Sequence, residues 1–371
     1  MLGLTLFTFL FLLLPLELVS QSSSESSEYI RTPVLGSADV FSLLYYTKIG
    51  VGTFDATPSF KNYFLAIDTG SSLTWLQCEA CRNPGNHCFQ QLKPPFPNSN
   101  SHTYSPLTSC ESQRQATSSR GSCIGHMEYN SGEKTQFEVA HEHFILETNV
   151  HKSFKTVKLE FGCGFNQTGF NEITKPGIMT GILGLSRDQM SFQFQIDTES
   201  GKGLNFSYCF PILTKRGGPT TYLTFGKNIP SRSGFSVTPL LSIPGDELYY
   251  VKMFDILVNG HPLHIDPSYF DVRKNGGVFL DTGSSISALV QPVYDTLERR
   301  LMTIFSANPN FHRKAVMALT CLHSAMTYRK RVTGISIYPP SSLFSKTPHL
   351  SSSLVRDSTL VKMPIIDSFV L

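Results

Sequence analysis

The sequence predicts an all-β protein made of two related lobes, and three observations predict it. The segment Ala66-Ile67-Asp68-Thr69-Gly70-Ser71-Ser72 returns 213 residues later as Phe279-Leu280-Asp281-Thr282-Gly283-Ser284-Ser285. Twenty-seven glycines and 22 prolines punctuate many short apolar runs, the texture of strands joined by turns. The chain has 371 residues, 40% of them hydrophobic and 16% charged, enough to bury two cores.

Composition removes several other classes. Twenty-eight Phe and 14 Tyr are too many for a disordered chain. A net charge of +3 is too close to neutral for a nucleic-acid binder. No heptad repeat or charged low-complexity arm is visible.

From the amino end, Leu2 to Leu14 is almost wholly apolar and Pro15 follows. That stretch has the length of a signal-peptide core and falls short of the ~18 residues that span a bilayer. Residues 1–20 are therefore expected to be a cleaved signal, and 21–40 a short propeptide or linker. No membrane contact is expected after cleavage.

Eight cysteines fit an oxidising compartment. Cys78, Cys81, Cys88, Cys110, Cys123, Cys163 and Cys209 are the disulfide candidates, with pairing open and one of the seven left over. Cys78-x-x-Cys81 with His87-Cys88 also has a zinc-like spacing, but after a signal peptide disulfides are the better reading. Asn166-Gln167-Thr168 and Asn205-Phe206-Ser207 are glycosylation acceptors in a secreted chain.

The repeated segment carries the chemistry. In each copy an apolar pair ends a strand, and Asp-Thr-Gly makes a tight turn in which Gly supplies backbone freedom. Similar strands precede both copies, Tyr45-Tyr46-Thr47-Lys48-Ile49 and Tyr249-Tyr250-Val251-Lys252-Met253. Packed about a pseudo-twofold, the lobes bring Asp68 against Asp281. Two carboxylates so close share one proton. The ionised one serves as general base on a water, and the protonated one donates to a carbonyl oxygen. No covalent intermediate, metal or other cofactor is required. Ser71 and Ser284 are placed to hydrogen-bond the outer carboxylate oxygens.

These residues resemble the pepsin-like aspartic endopeptidases, family A1, and more narrowly the plant nepenthesin-like branch. The resemblance is carried further by Phe161-Gly162-Cys163-Gly164-Phe165-Asn166, Gly181-Ile182-Leu183-Gly184-Leu185-Ser186-Arg187, Phe206-Ser207-Tyr208-Cys209, Leu223-Thr224-Phe225-Gly226 and Thr238-Pro239-Leu240-Leu241. It implies a bilobal fold with a catalytic lobe over 41–225, a Cys-rich insert at 78–123, and a second lobe starting at 226. It also implies a flap in which Tyr129 closes over substrate, with Gly132 in its turn and its hydroxyl near the indole of Trp75, the only Trp. Thr135, Glu142 and Phe144 keep the later flap spacing. Gly181-Ile182-Leu183-Gly184 is the element threaded behind the first turn.

Beyond about Leu301 the resemblance fades. The threaded element begins 113 residues after Asp68, yet only 90 residues follow Asp281. Val332-Thr333-Gly334-Ile335 is the sole faint counterpart. Only one of the 27 glycines, Gly334, lies beyond Gly283. Arg329-Lys330-Arg331 and Ser351-Ser352-Ser353 do not read as strands, and Cys321 has no later partner. Residues 302–371 are therefore expected to be a divergent or foreign tail, from truncation or a frameshift, leaving the second lobe over 226–301 incomplete. His141-Glu142-His143 lacks zinc-protease spacing and reads as solvated surface. His261-Pro262-Leu263-His264 reads as a turn.

The reading that follows is an aspartic endopeptidase, secreted or vacuolar and monomeric, acting on a polypeptide held between the lobes. The alternatives are a catalytically silent binding protein of the xylanase-inhibitor kind, which shares the fold, and an inactive truncated product.

Overall fold

The fold was read from a computed structural model. It describes residues 29–36, 44–110, 116–119, 121–170, 176–197, 203–210, 221–226, 238–274, 276–284, 287–307, 334–336 and 368–370. The expected signal segment, Ser285, Cys321, Val332-Thr333 and the basic and serine-rich runs lie outside them.

The first lobe is a folded sheet. Its strands are β1 (Ile30–Gly36), β2 (Tyr45–Val51), β3 (Lys61–Asp68), β4 (Trp75–Gln77), β5 (Ser105–Pro106) and β6 (Ala116–Ser119). They continue as β7 (Ser122–Glu128), β8 (Lys134–Glu147), β9 (Phe154–Thr168), β10 (Gly181–Gly184), β11 (Phe206–Cys209) and β12 (Thr221–Phe225). The order runs β11-β12-β1-β2-β3-β10-β4-β9-β8-β7-β6.

β3 is central because both its faces are apolar. Tyr63, Leu65 and Ile67 join the main core with Ile49, Phe144 and Phe161. Ala66 faces a second cluster with Trp75 and Phe137. Parallel β10 holds one edge of β3, Gly181 opposite Leu65 through Gly184 opposite Asp68, and antiparallel β2 holds the other.

One boundary is corrected at the amino end. Residues 30–36 are no linker: β1 lies between β12 and β2, and its alternation buries Ile30, Thr32 and Val34. The short run, interrupted by Pro33, hides this pattern in the sequence.

The second lobe is smaller. β13 (Leu240–Leu241), β14 (Tyr249–Val251) and β17 (Val278–Leu280) form one antiparallel sheet in the order β13-β14-β17. β15 (Leu257–Val258) pairs with β16 (His261–Pro262), so His261 and Pro262 lie in a short hairpin strand, not in the expected turn. A four-residue helix α1 (Phe192–Gln195) belongs to the first lobe. Helix α2 (Gln291–Ser306) follows β18 (Ala288–Val290). Val293 and Leu297 of α2 pack with Ile256, Val258 and Phe270, and Leu301 and Ile304 lie against that cluster. The spacing of these four residues is that of one helix face. The lobe therefore continues five residues past Leu301, and the expected tail boundary at 302 moves to the end of α2.

Beyond it, β19 (Gly334–Ser336) pairs antiparallel with β18, and β20 (Ser368–Val370) extends the first lobe's sheet beside β11. In the first lobe β10 bridges both β3 and β4. Its faint counterpart around Gly334 pairs with β18 but, among the described residues, has no pairing with β17. Burial follows. Leu65, Ala66 and Ile67 are at most 1% exposed, whereas Phe279, the repeat counterpart of Ala66, is 43% exposed and Val278 and Leu280 are half-buried. No described helix is long and apolar enough to cross a membrane.

Candidate active site

The two Asp-Thr-Gly turns meet where β3 and β17 end. The link between them is reciprocal. Thr69 N–H donates to Thr282 Oγ1, and Thr282 N–H donates to Thr69 Oγ1, both at 3.0 Å. Each hydroxyl then donates to the carbonyl before the partner Asp: Thr69 to Leu280 O at 3.0 Å and Thr282 to Ile67 O at 2.8 Å. Four hydrogen bonds thus close two backbones on each other, with each side chain used as donor and acceptor at once.

The carboxyls lie together above this link. Gly70 N–H donates to Asp68 Oδ1 at 2.8 Å, and Gly283 N–H donates to Asp281 Oδ1 at 2.9 Å. Ser71 Oγ donates to Asp68 Oδ2. At the second turn the Ser284 amide supports Asp281. The glycines are needed for room and not for the backbone freedom the sequence suggests, since neither has positive φ. A Cβ on Gly70 would lie 2.7 Å from Asp281 Oδ1, and one on Gly283 would strike Asp68 Oδ1. Each turn must lack a side chain because the other turn's carboxyl occupies the place.

Burial sets the electrostatics. Asp68 is 5% exposed, and burial first, then the charge of Asp281, raises its carboxyl to about 6. Burial also raises Asp281, against the amides of Gly283 and Ser284 and the hydrogen bond from Asp68. The two carboxyls are in hydrogen-bond contact, and the upward shift of both favours one proton shared between them.

A hairpin covers the first turn. β7 and β8 are joined through Tyr129 to Glu133, with Tyr129 N–H on Glu133 O and Gly132 N–H on Tyr129 O, both at 2.8 Å. Gly132 takes φ of 100°, a conformation that favours glycine. Trp75 is wholly buried, and its Nε1–H donates to Tyr129 Oη at 2.6 Å. Burial, then the charge of Asp68, pushes the Tyr129 phenol up, so it remains neutral. Trp75, Phe89 and Phe170 pack edge-on and tilted beneath it.

Disulfides brace this wall. Cys78 pairs with Cys163, Cys81 with Cys88 and Cys110 with Cys123. Cys78, Cys81 and Cys88 are thereby spent as sulfur bridges and not as metal thiolates. Cys209, a disulfide candidate from the sequence, is free and exposed on β11. Asn205 is exposed, while the Asn166 amide donates to Gln136 Oε1 at 2.9 Å.

One surface reading is overturned. Glu142 is wholly buried, its Oε1 receiving Thr103 Oγ1 and His143 N–H. Alternation along β8 turns Glu142 inward beside Phe144, leaving His141 and His143 half-buried on the other face. Sequence reasoning quoted Leu185 and Tyr249 only as members of longer runs and missed Gln193. The three form a buried hydrogen-bonded cluster behind the first turn, a link those runs do not reveal.

The chain is similar to known proteins over most of its length. The family model described as Xylanase inhibitor N-terminal matches residues 45–227, and the one described as Xylanase inhibitor C-terminal matches 248–337. The second match runs well past Leu301. Aspartyl protease family protein 2 of Arabidopsis thaliana is 31% identical over 262 residues, covering 67% of this chain and 49% of its own. Aspartic proteinase nepenthesin-2 of Nepenthes gracilis is 30% identical over 281 residues, covering 74% and 58%. The solved structure titled "Crystal structure of edgp" superposes with a TM-score of 0.54 at 18% identity, over 75% of this chain and 70% of that one. The two lobes and the paired turns define a pepsin-like bilobal fold. The chain belongs to the pepsin-like aspartic protease family, in its plant branch. It spans about half the length of the protease relatives it matches.

Proposed function

We propose that this chain is an aspartic endopeptidase, with Asp68 and Asp281 as its catalytic pair. The observation that carries the reading is the shared-proton geometry: a buried Asp68 carboxyl and a half-buried Asp281 carboxyl in hydrogen-bond contact, with both acidities weakened by desolvation.

The chemistry follows from one proton on two carboxyls. The ionised carboxyl takes a proton from a water that attacks the scissile carbonyl carbon. The protonated carboxyl donates to the carbonyl oxygen as it gains charge. The tetrahedral intermediate collapses when the leaving nitrogen is protonated by the same pair. Gly70, Gly283, Ser71 and Ser284 hold the carboxyl oxygens, and Thr69 and Thr282 hold the turns. Tyr129, with Gly132 in its turn and Trp75 behind it, closes over an extended polypeptide and excludes water. The chain acts as a monomer without a cofactor, in the cell exterior or the vacuole, reached through a cleaved signal at 1–20. Asn166 and Asn205 are its glycosylation sites.

A second reading is favoured by the matching family models, which are those of xylanase inhibitors. A silent binding protein has no need of two intact carboxyls in contact, so the endopeptidase reading stands first. Incubation of the purified protein with a denatured polypeptide at acid pH, with and without a statine-type mimic, separates the two. Statine-sensitive cleavage supports the enzyme. Xylanase inhibition with no cleavage supports the binder.

A further inference from the structure

We infer that Tyr249 is a positioning residue for the carboxyl pair: its hydroxyl, seated on the Leu185 carbonyl, sets the second turn in register with the first. The inference rests on the reading of Asp68 and Asp281 as the reacting pair.

Tyr249 belongs to the second lobe by backbone and to the first by side chain. It lies on β14 directly opposite Leu280 of β17. Its ring, 5% exposed, enters the first lobe's main core, edge-on to Phe206 at 5.9 Å. Its hydroxyl donates to Leu185 O at 2.7 Å and accepts from Gln193 Nε2 at 3.2 Å. Gln193 Nε2 also donates to Leu185 O at 3.1 Å and Ser186 O at 2.5 Å.

The carbonyl it holds belongs to a residue that touches the first turn. Leu185 N–H donates to Asp68 O at 2.8 Å, and Ser186 N–H donates to Ser71 O at 3.0 Å. On the other side, Leu280 immediately precedes Asp281, and its carbonyl receives Thr69 Oγ1. A closed circuit therefore runs from Asp68 through Leu185, Tyr249 and Leu280 to Asp281. Thr69 and Thr282 form its other arc.

The asymmetry of the lobes gives this arc its weight. β3 is held on both edges by β2 and β10, but β17 has β14 as its one sheet neighbour among the described residues. Where β14 sits, Leu280 and Asp281 follow. The repeat counterpart Tyr45 instead stacks its ring on Phe210 at 4.0 Å. Reacting groups must be held to within ~0.5 Å, so a small slip of β14 reaches the chemistry.

The test is Tyr249→Phe, which keeps the ring and removes the hydroxyl. Hydrogen exchange at the Thr69 and Thr282 amides is read alongside turnover of a peptide. The expected result is a loss of about tenfold or more in kcat with KM within about twofold. Exchange at those two amides should quicken at least about tenfold, with Val139 in β8 unchanged. An unchanged kcat, or exchange that rises equally everywhere, overturns the inference. If wild type cleaves nothing, the endopeptidase reading fails, and the exchange measurement still decides the positioning role. If Tyr249→Phe does not fold, Gln193→Met removes the amide donor on the same hydroxyl and takes the same two measurements.

Discussion

Thr69 and Thr282 each donate an amide to the other's hydroxyl across the lobe boundary at 3.0 Å. The pair supports from the front a second turn that, among the described residues, has no strand like β10 on the other edge of β17. Thr282→Val keeps the shape and removes one hydroxyl that both accepts and donates. The Thr69 amide then loses its acceptor, a cost of about 1–3 kcal/mol when buried. Activity on a peptide should fall by about a hundredfold. Thr282→Ser, which retains the hydroxyl, should recover most of it.

Stability should depend on pH through Asp68. The native carboxyl holds its proton up to about 6, while the ordinary value is 3.8. Between those values the native state binds more protons, so stability falls as pH rises through the window. The gap is worth roughly 3 kcal/mol, and Asp281 shifts the same way. Asp68→Asn removes the Asp68 share. Urea melts at pH 4 and pH 7 should show the variant gaining stability relative to wild type at the higher pH. Parallel curves for the two proteins would contradict the raised carboxyl.

Tyr129 tests the flap. Its phenol accepts from Trp75, and the half-buried residue packs against the second core cluster from outside it. Tyr129→Ala should reduce turnover about tenfold or more while leaving the melting temperature within a few degrees. Equal turnover at equal melting temperature would return it to an ordinary hairpin residue.

The Cys78–Cys163 bridge closes a separation of 85 residues and ties the end of β4 to β9, beside Trp75. Replacing both cysteines with alanine should cost about 2–5 kcal/mol in a denaturant melt, because the closed loop is long. The Cys81–Cys88 bridge spans only 7 residues and should cost less when removed in the same way.

The repeated Asp-Thr-Gly-Ser made the two lobes and their pairing legible, because duplication at a fixed offset requires equivalent places. The threaded β10 was legible from the family resemblance of Gly181-Ile182-Leu183-Gly184, not from the duplication. β1 was not, since Pro33 breaks a short strand whose burial depends on partners far along the chain. The inward turn of Glu142 depends on where alternation shifts along β8, which no local pattern marks. The threonine link was half legible: both residues were visible in the turns, but their exchange across lobes needs the packed geometry. The Tyr249 arc joins a tyrosine hydroxyl to backbone carbonyls of the other lobe, and carbonyl acceptors carry no residue signature. Helix α2 escaped notice because its apolar face follows the motif-rich segment and lies where the family pattern fades.

The most direct test of the central claim is cleavage of a denatured polypeptide in acid by wild type, Asp68→Asn and Asp281→Asn. One ionised and one protonated carboxyl are both required, so each Asn variant should lose activity by about a thousandfold or more. A statine-type mimic should block wild type. Cleavage at the wild-type rate in either Asn variant would contradict the assignment of Asp68 and Asp281 as the catalytic pair.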